Sequence, residues 1–300
     1  LALIGAGLIG GSFALSLRQC YPALQVRVYD RDPGHAAAAV ALGIAHQAGA
    51  TVAEAVRGAR LVVVAVPVGA MPAVFAELPA CLASGATITD VGSTKGEVIA
   101  AARATLGTCF GRFVPGHPIS GAEHSGPAAA RAGLFQGKRV VLTPEVETEQ
   151  AALTEVARWW KACGAQVHQL RAAQHDQIFA AVSHLPHLLS FALVDEFAGR
   201  PDAATLFDYA AGGFRDFTRI AASHPAMWRD IALANREALL GELDAYLAAV
   251  SRMRDQVATA DGAGLFAAFE RARAARVRWG ARAEGAPAPV PPAADQPRRS

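Results

Sequence analysis

Three hundred residues, 52% of them hydrophobic and with a formal net charge of +2, can bury a sizeable core and set a prior of two domains. So even a balance, with no run of like charge, gives no electrostatic footprint for nucleic acid or an anionic membrane surface and leaves small molecules as the expected partners. Cys20, Cys81, Cys109 and Cys163 contain no C-x-x-C pair, which argues against a zinc site or a disulfide framework, and no uninterrupted apolar stretch reads as membrane-spanning, so a soluble cytoplasmic protein is expected.

Leu1 to Ile4 is an apolar run of strand length, and Gly5-Ala6-Gly7-Leu8-Ile9-Gly10 follows it as G-x-G-x-x-G. Gly5 suits the tight turn out of the strand, Gly7 the close approach of a pyrophosphate, and Gly10 close packing of the helix on the sheet. The first helical turn, at Leu8 and Ile9, offers unpaired N–H groups to the phosphates. Val26 to Tyr29 reads as a second strand ending at Asp30, where the motif places a carboxylate on the ribose 2′-hydroxyl. That carboxylate would repel a 2′-phosphate and favours NAD, whereas Arg31 could bind such a phosphate and keeps NADP open. A tight turn with a solvated Asp30 is the plainer alternative.

Pro33 to Leu42 and Thr51 to Arg57 read as helices, and Leu61 to Val66 is the β-branched run of a strand buried on both faces. Ligands lie at the carboxyl ends of strands in a doubly wound sheet, so the Val66-Pro67 corner should border the cofactor. Thr87 to Val91 is the next strand, and the loop Asp90 to Gly96 opens on the same edge and directs Ser93 at the crevice. Ser93 could instead cap the helix that starts near Gly96. Lys138 to Thr143 predicts another strand, Glu145 to Cys163 a helix, and Val167 to Leu170 a last strand. From about Arg171 only helical patterns remain: Ala172 to Ala198, a segment from Ala203, and Pro225 to about Ala258.

The expected fold is therefore α/β: a Rossmann-like doubly wound sheet in a dinucleotide-binding domain over 1–168, then an all-helical domain over 169–282. Residues 283–300, rich in proline and alanine, are expected to be a disordered tail. Leu240, Leu243, Leu247, Val250 and Val257 form an apolar stripe that so small a helical domain has little to bury against, which predicts a homodimer.

Three clusters carry residues suited to chemistry. His117 lies in Gly116-His117-Pro118-Ile119-Ser120-Gly121, read as a loop at the crevice edge, where an imidazole can accept a hydroxyl proton near neutral pH. Glu123 follows in the same loop and could equally be a solvated carboxylate. In Ser183-His184-Leu185-Pro186-His187, Pro186 should kink a helix beside two histidines on one side of it; no nearby carboxylate or cysteine completes a metal site, and none is expected. Gly212 to Arg219 supplies a turn and two arginines one helical turn apart, of which Arg219 could clamp a carboxylate or pair with Asp216.

Together with Gly5 to Ser12 and Asp90-Val91-Gly92-Ser93-Thr94-Lys95, these motifs resemble those of the prephenate and arogenate (cyclohexadienyl) dehydrogenase family of tyrosine biosynthesis, from Leu1 to about Trp279. The resemblance implies NAD-dependent oxidation of a ring hydroxyl coupled to loss of CO₂, with His117 drawing off the proton and Ser93 orienting the hydroxyl and the nicotinamide. It implies that His187 and Arg219 hold the substrate with His184 beside them, that Glu123 lies near the pocket mouth, and that Trp228 comes from a partner subunit. Ala122 stands where some relatives carry threonine. Any feedback by tyrosine would act at the active site or the dimer interface. A 3-hydroxy acid dehydrogenase shares the two-domain plan, but its chemistry uses a lysine and residues 171–282 contain none; a non-catalytic NAD sensor would leave His117, His187 and Arg219 without purpose.

Overall fold

The computed structural model describes residues 1–121 and 125–285, with side chains through Ala281; Glu123 and the tail from 286 onward lie outside the described residues. Strands β1 (Ala2–Ile4), β2 (Arg27–Tyr29), β3 (Gln47–Ala48), β4 (Leu61–Val64), β5 (Thr87–Asp90) and β6 (Phe113–Val114) form a parallel sheet in the order β3-β2-β1-β4-β5-β6. Helices α1 (Leu8–Cys20), α2 (Pro33–Ala41), α3 (Val52–Val56), α4 (Met71–Glu77) and α5 (Gly96–Thr105) connect them. The order reverses between β1 and β4, which pair from Ala2↔Val62 to Ile4↔Val64. In such sheets this reversal leaves a crevice at the carboxyl ends of the strands.

The period-2 alternation of strands divides the core in two. Leu3, Leu61 and Val63 face one side, against Phe13, Leu17 and Trp160, while Ile4, Val62 and Val64 face the other, against Phe75, Ile88 and Phe113. Both faces of β1 and β4 are thus covered, which is why the run at Leu61 reads as continuously apolar.

A smaller sheet follows, made of β7 (Gly116–Pro118), β8 (Arg139–Leu142) and β9 (Gln166–Gln169), with α6 (Gln150–Ala162) between β8 and β9. The segment expected to be an irregular loop at His117 is therefore a strand: β7 runs antiparallel to β8, with His117 opposite Val141. Helix α6 starts five residues later than predicted because Glu145 and Thr148 close a turn, Glu145 N–H donating to Thr148 Oγ1 at 3.0 Å and Thr148 N–H to the Glu145 carbonyl at 3.0 Å.

Helices complete the chain: α7 (Ala172–Phe179), α8 (Leu185–Ala198), α9 (Ala203–Asp208), α10 (Gly212–Thr218), α11 (Pro225–Ala234), α12 (Arg236–Ala258) and α13 (Gly262–Gly285). A π-helical turn, Ala180–His184, joins α7 to α8 directly before Pro186. Proline has no N–H to give and its ring crowds the carbonyl four residues back, so widening the turn relieves the clash without ending the helix. The predicted long helix from Pro225 is broken at Asn235, and α13 runs past the expected boundary at 282. The run Ala172–Ala198 is long and apolar enough to cross a membrane by length and composition, contrary to expectation, but it buries hydrogen-bonded His175, Asp176 and His184 as an interior helix does.

The contacts define two compact units, one from Leu1 to Glu242 and one beginning at Leu243. All the strands and α1–α11 belong to the first. In the second, Leu247, Val250 and Val257 of α12 and Phe266, Phe269, Val277 and Trp279 of α13 are exposed.

Candidate active site

At the switch point the glycines have distinct reasons to be glycine. Gly5 adopts φ +101°, and a Cβ there would lie 2.5 Å from the Ala65 carbonyl oxygen. A Cβ on Gly10 would come within 2.6 Å of the Gly5 carbonyl oxygen and 2.7 Å of Leu3 Cδ1. Gly7 differs: nothing lies within 4 Å of a Cβ built on it. That open space, next to the first-turn N–H groups at Leu8 and Ile9, fits a pyrophosphate. Asp30 accepts the Ala6 N–H through Oδ2 at 2.8 Å and the Asp32 N–H through Oδ1 at 2.9 Å, so the carboxylate is locked to the glycine turn. Its remaining lone pairs suit a ribose hydroxyl. Arg31 is exposed beside it, and Val66 and Pro67 follow the carboxyl end of β4.

Next along the sheet edge, the turn after β5 is built around an ion pair that the sequence reading missed. Asp90 and Lys95 are both fully buried, with Nζ 2.5 Å from Oδ2. Lys95 Nζ also donates to the Gly116 carbonyl at 2.7 Å, while Asp90 accepts the N–H groups of Gly92 at 2.7 Å and Gly116 at 3.0 Å. A buried charge pair of this sort needs further hydrogen bonds to offset its desolvation cost, and here the Gly116 carbonyl supports the ammonium while two backbone N–H groups support the carboxylate. The pair joins the Ser93 turn to the strand carrying His117. Ser93 itself is half-buried and is not the cap of α5. Asp176 supplies that cap from 80 residues away, accepting Lys95 N–H at 2.9 Å and Gly96 N–H at 2.8 Å.

Asp176 is also the end of a line of rings. His175 Nδ1 lies 2.8 Å from Asp176 Oδ1, and His175 Nε2 lies 2.9 Å from His117 Nδ1. Phe179 packs against both imidazoles, with centroid distances of 4.8 Å to His117 and 4.5 Å to His175. Burial, followed by the charges of His175, Lys95 and His184, holds His117 well below the usual imidazole value, so it is a neutral base at neutral pH. Burial lowers His175 as well, with Asp176 opposing and Lys95 reinforcing the effect. For Asp176, burial acts upward, but the hydrogen bonds from His175 and from the Gly96 and Lys95 N–H groups outweigh it and keep the carboxyl below its ordinary range.

On the helical side, Asn235 explains the break before α12. Its buried amide donates to the Asp176 carbonyl at 2.8 Å and to His184 Nδ1 at 3.0 Å. The His184 proton therefore sits on Nε2, a buried donor that meets no partner among the described residues. Burial lowers His184 to about 4, so it acts as a neutral donor and not as a cation. His187 Nδ1 donates to the Ser183 carbonyl at 2.8 Å, and its ring stacks on Trp228 of the same chain at 3.6 Å. Arg219 opens the turn Arg219–Ala222, which packs on α8, and is near enough to His187 for its charge to add to burial in lowering that imidazole. Asp216 pairs with Arg215, at 3.9 Å.

The structure thus links His117, His184, His187 and Arg219 as successive electrostatic neighbours and places the Ser93 turn beside the first of them. His175, Asp176, Lys95, Asp90 and Asn235 were not predicted. The adjacent His175-Asp176 pair at the start of a helix was the available signal. Among the described residues no group of three histidine, cysteine or acidic side chains could hold a metal ion.

A neutral imidazole at the carboxyl edge of a dinucleotide-binding sheet is placed to take a hydroxyl proton while a nicotinamide takes the hydrogen on carbon. The class is that of NAD-dependent, alcohol-oxidising dehydrogenases. Residues 13–169 match the nucleotide-binding domain of prephenate dehydrogenase and residues 171–271 its dimerization domain. A cyclohexadienyl dehydrogenase of Zymomonas mobilis is 37% identical over 92% of this chain and 94% of its own length, and a prephenate dehydrogenase of Bacillus subtilis is 35% identical over 90% and 73%. The crystal structure of prephenate dehydrogenase from Aquifex aeolicus with hydroxyphenyl propionate and NAD⁺ superposes with a TM-score of 0.85 at 34% identity, covering 92% of this chain and 96% of that one. The chain belongs to the prephenate dehydrogenase family.

Proposed function

We propose that this chain oxidises and decarboxylates prephenate to 4-hydroxyphenylpyruvate with NAD, a step of tyrosine biosynthesis. The observation that carries the reading is the half-buried, neutral His117 tied to the Ser93 turn at the edge of the nucleotide cradle. The residues at Gly5, Gly7, Leu8, Ile9, Gly10, Asp30, Val66 and Pro67 would hold NAD, which when bound accepts a hydride from the carbon bearing the ring hydroxyl. His117 takes the hydroxyl proton as the carbonyl forms, with Ser93 assigned to orient that hydroxyl. Loss of the ring carboxylate as CO₂ then leaves an aromatic phenolate, and His117 returns the proton to its oxygen, so no proton is consumed overall. Arg219 holds a substrate carboxylate in bidentate fashion, assisted by His187, and the His184 Nε2–H donates to a substrate oxygen.

Purified protein given NAD and prephenate should form NADH and CO₂ in equal amounts. Likeness to a cyclohexadienyl dehydrogenase favours one second reading, turnover of arogenate as well, so both substrates are compared. Arg219→Ala is expected to raise KM for substrate about 100-fold with a smaller change in kcat, since it removes a charge-assisted contact made in ground and transition states alike. No NADH from either substrate would end the proposal.

The exposed Leu240, Leu247, Val250 and Val257, on a segment matching a dimerization domain, support a homodimer. Sedimentation at micromolar concentration should give twice the 31.1 kDa chain mass, and a monomer would remove this reading.

A further inference from the structure

We propose that His175 and Asp176 are positioning residues that hold His117 in the tautomer protonated on Nδ1, leaving the Nε2 lone pair as the base. The inference rests on the dehydrogenase reading for its purpose but on hydrogen-bond direction for its content. Asp176 receives two backbone N–H groups at the start of α5, through Oδ1 from Lys95 and through Oδ2 from Gly96, an arrangement that stabilises an ionised carboxylate. An ionised carboxylate only accepts, so the proton between it and His175 belongs to His175 Nδ1. A neutral imidazole with its proton on Nδ1 can only accept at Nε2. The 2.9 Å contact there is therefore donated by His117 Nδ1–H, and the other ring nitrogen of His117 is left with its lone pair.

The opposite assignment needs a doubly protonated His175, donating to Asp176 and to His117 alike. The surroundings of His175 disfavour it: burial, the largest effect, and the Lys95 ammonium act against a second proton and outweigh the Asp176 and Asp90 carboxylates, which act the other way, and Phe179 covers the two rings with apolar surface. The line has a second consequence. When His117 gains a proton at Nε2, its Nδ1–H bond to His175 strengthens, and the Asp176 carboxylate two rings away offsets the new charge. One carboxylate thereby starts the helix after Ser93 and orients the base.

The test is ¹⁵N NMR of the full chain labelled at histidine, without substrate, with the His117 signals identified by their loss in His117→Asn. His117 should show its proton on Nδ1 and an unprotonated Nε2. His175→Gln keeps an acceptor oxygen for His117 and should retain this tautomer and a kcat within about fivefold. His175→Leu removes the acceptor and should lower kcat about 100-fold, shift the acid limb of the kcat profile, and leave NAD affinity unchanged. A His117 proton on Nε2 in the unaltered protein, or equal loss of kcat in both variants, overturns the proposal. The NMR reading needs neither turnover nor His175→Leu to fold. A chain inactive on both cyclohexadienyl substrates would thus sink the assigned reaction and not the relay, while turnover with the other tautomer would sink the relay alone.

Discussion

Replacing His117 with asparagine should lower kcat by about a thousandfold while changing the dissociation constant for NAD less than about threefold. Asparagine retains an N–H that can reach His175 Nε2 and occupies part of the space of the imidazole against Phe179, so the strand it sits on keeps its pairing with β8. What is lost is the group proposed to accept the hydroxyl proton. The nucleotide cradle lies elsewhere, on the turn after β1 and at Asp30, and among the described residues no hydrogen bond joins it to His117. Steady-state kinetics with a fluorescence titration of NAD separates the two quantities. Lost NAD affinity with preserved kcat would move His117 from the chemistry to the cofactor site. Because burial and neighbouring charge hold His117 well below the usual imidazole value, the base form persists on the acid side of neutrality. The activity of the unaltered protein should therefore fall only at pH values below 6.5, as His117 becomes protonated.

The nucleotide half was legible because its signals are local. A β-branched run, a glycine turn and a carboxylate at the end of β2 each dictate conformation within a few residues, and their spacing supplies the rest. His117 could be singled out for the same reason, although its backbone could not. Antiparallel pairing with Val141, 24 positions on, turns an apparent loop into a strand, and no pattern within Gly116 to Gly121 carries that information. Asp176 and Asn235 were illegible in a stronger sense. Asp176 is an ordinary polar residue inside α7 and Asn235 one at a helix boundary, and the role of each lies in partners 80 and 51 positions distant, Gly96 and His184. Polar groups buried by tertiary packing must find donors and acceptors wherever the chain brings them, so these contacts follow from the fold and not from any sequence window. The break at Asn235 shows the point: helix propensity favoured continuing to α12, and the amide was instead drawn inward to satisfy Asp176 and His184.

The buried pair behind the Ser93 turn leads to the other large effect. Lys95→Met should cost about 3–5 kcal/mol of stability, because it leaves the Asp90 carboxylate without its cation in a site closed to water. Methionine fills most of the volume, so loss of packing is a minor part. Asp90→Asn combined with Lys95→Met should be more stable than Lys95→Met alone, since no unpaired charge remains; urea midpoints with an unchanged m-value measure the difference. Activity should not recover in step, for the Gly116 carbonyl still lacks the Nζ donor that anchors the strand bearing His117. Lys95 also pushes the His117 imidazole down by its charge, so in both variants the acid limb of the kcat profile should move to higher pH. A Lys95→Met protein within about 1 kcal/mol of the parent, with an unmoved acid limb, would mean that the pair neither holds the turn nor sets the charge around the base.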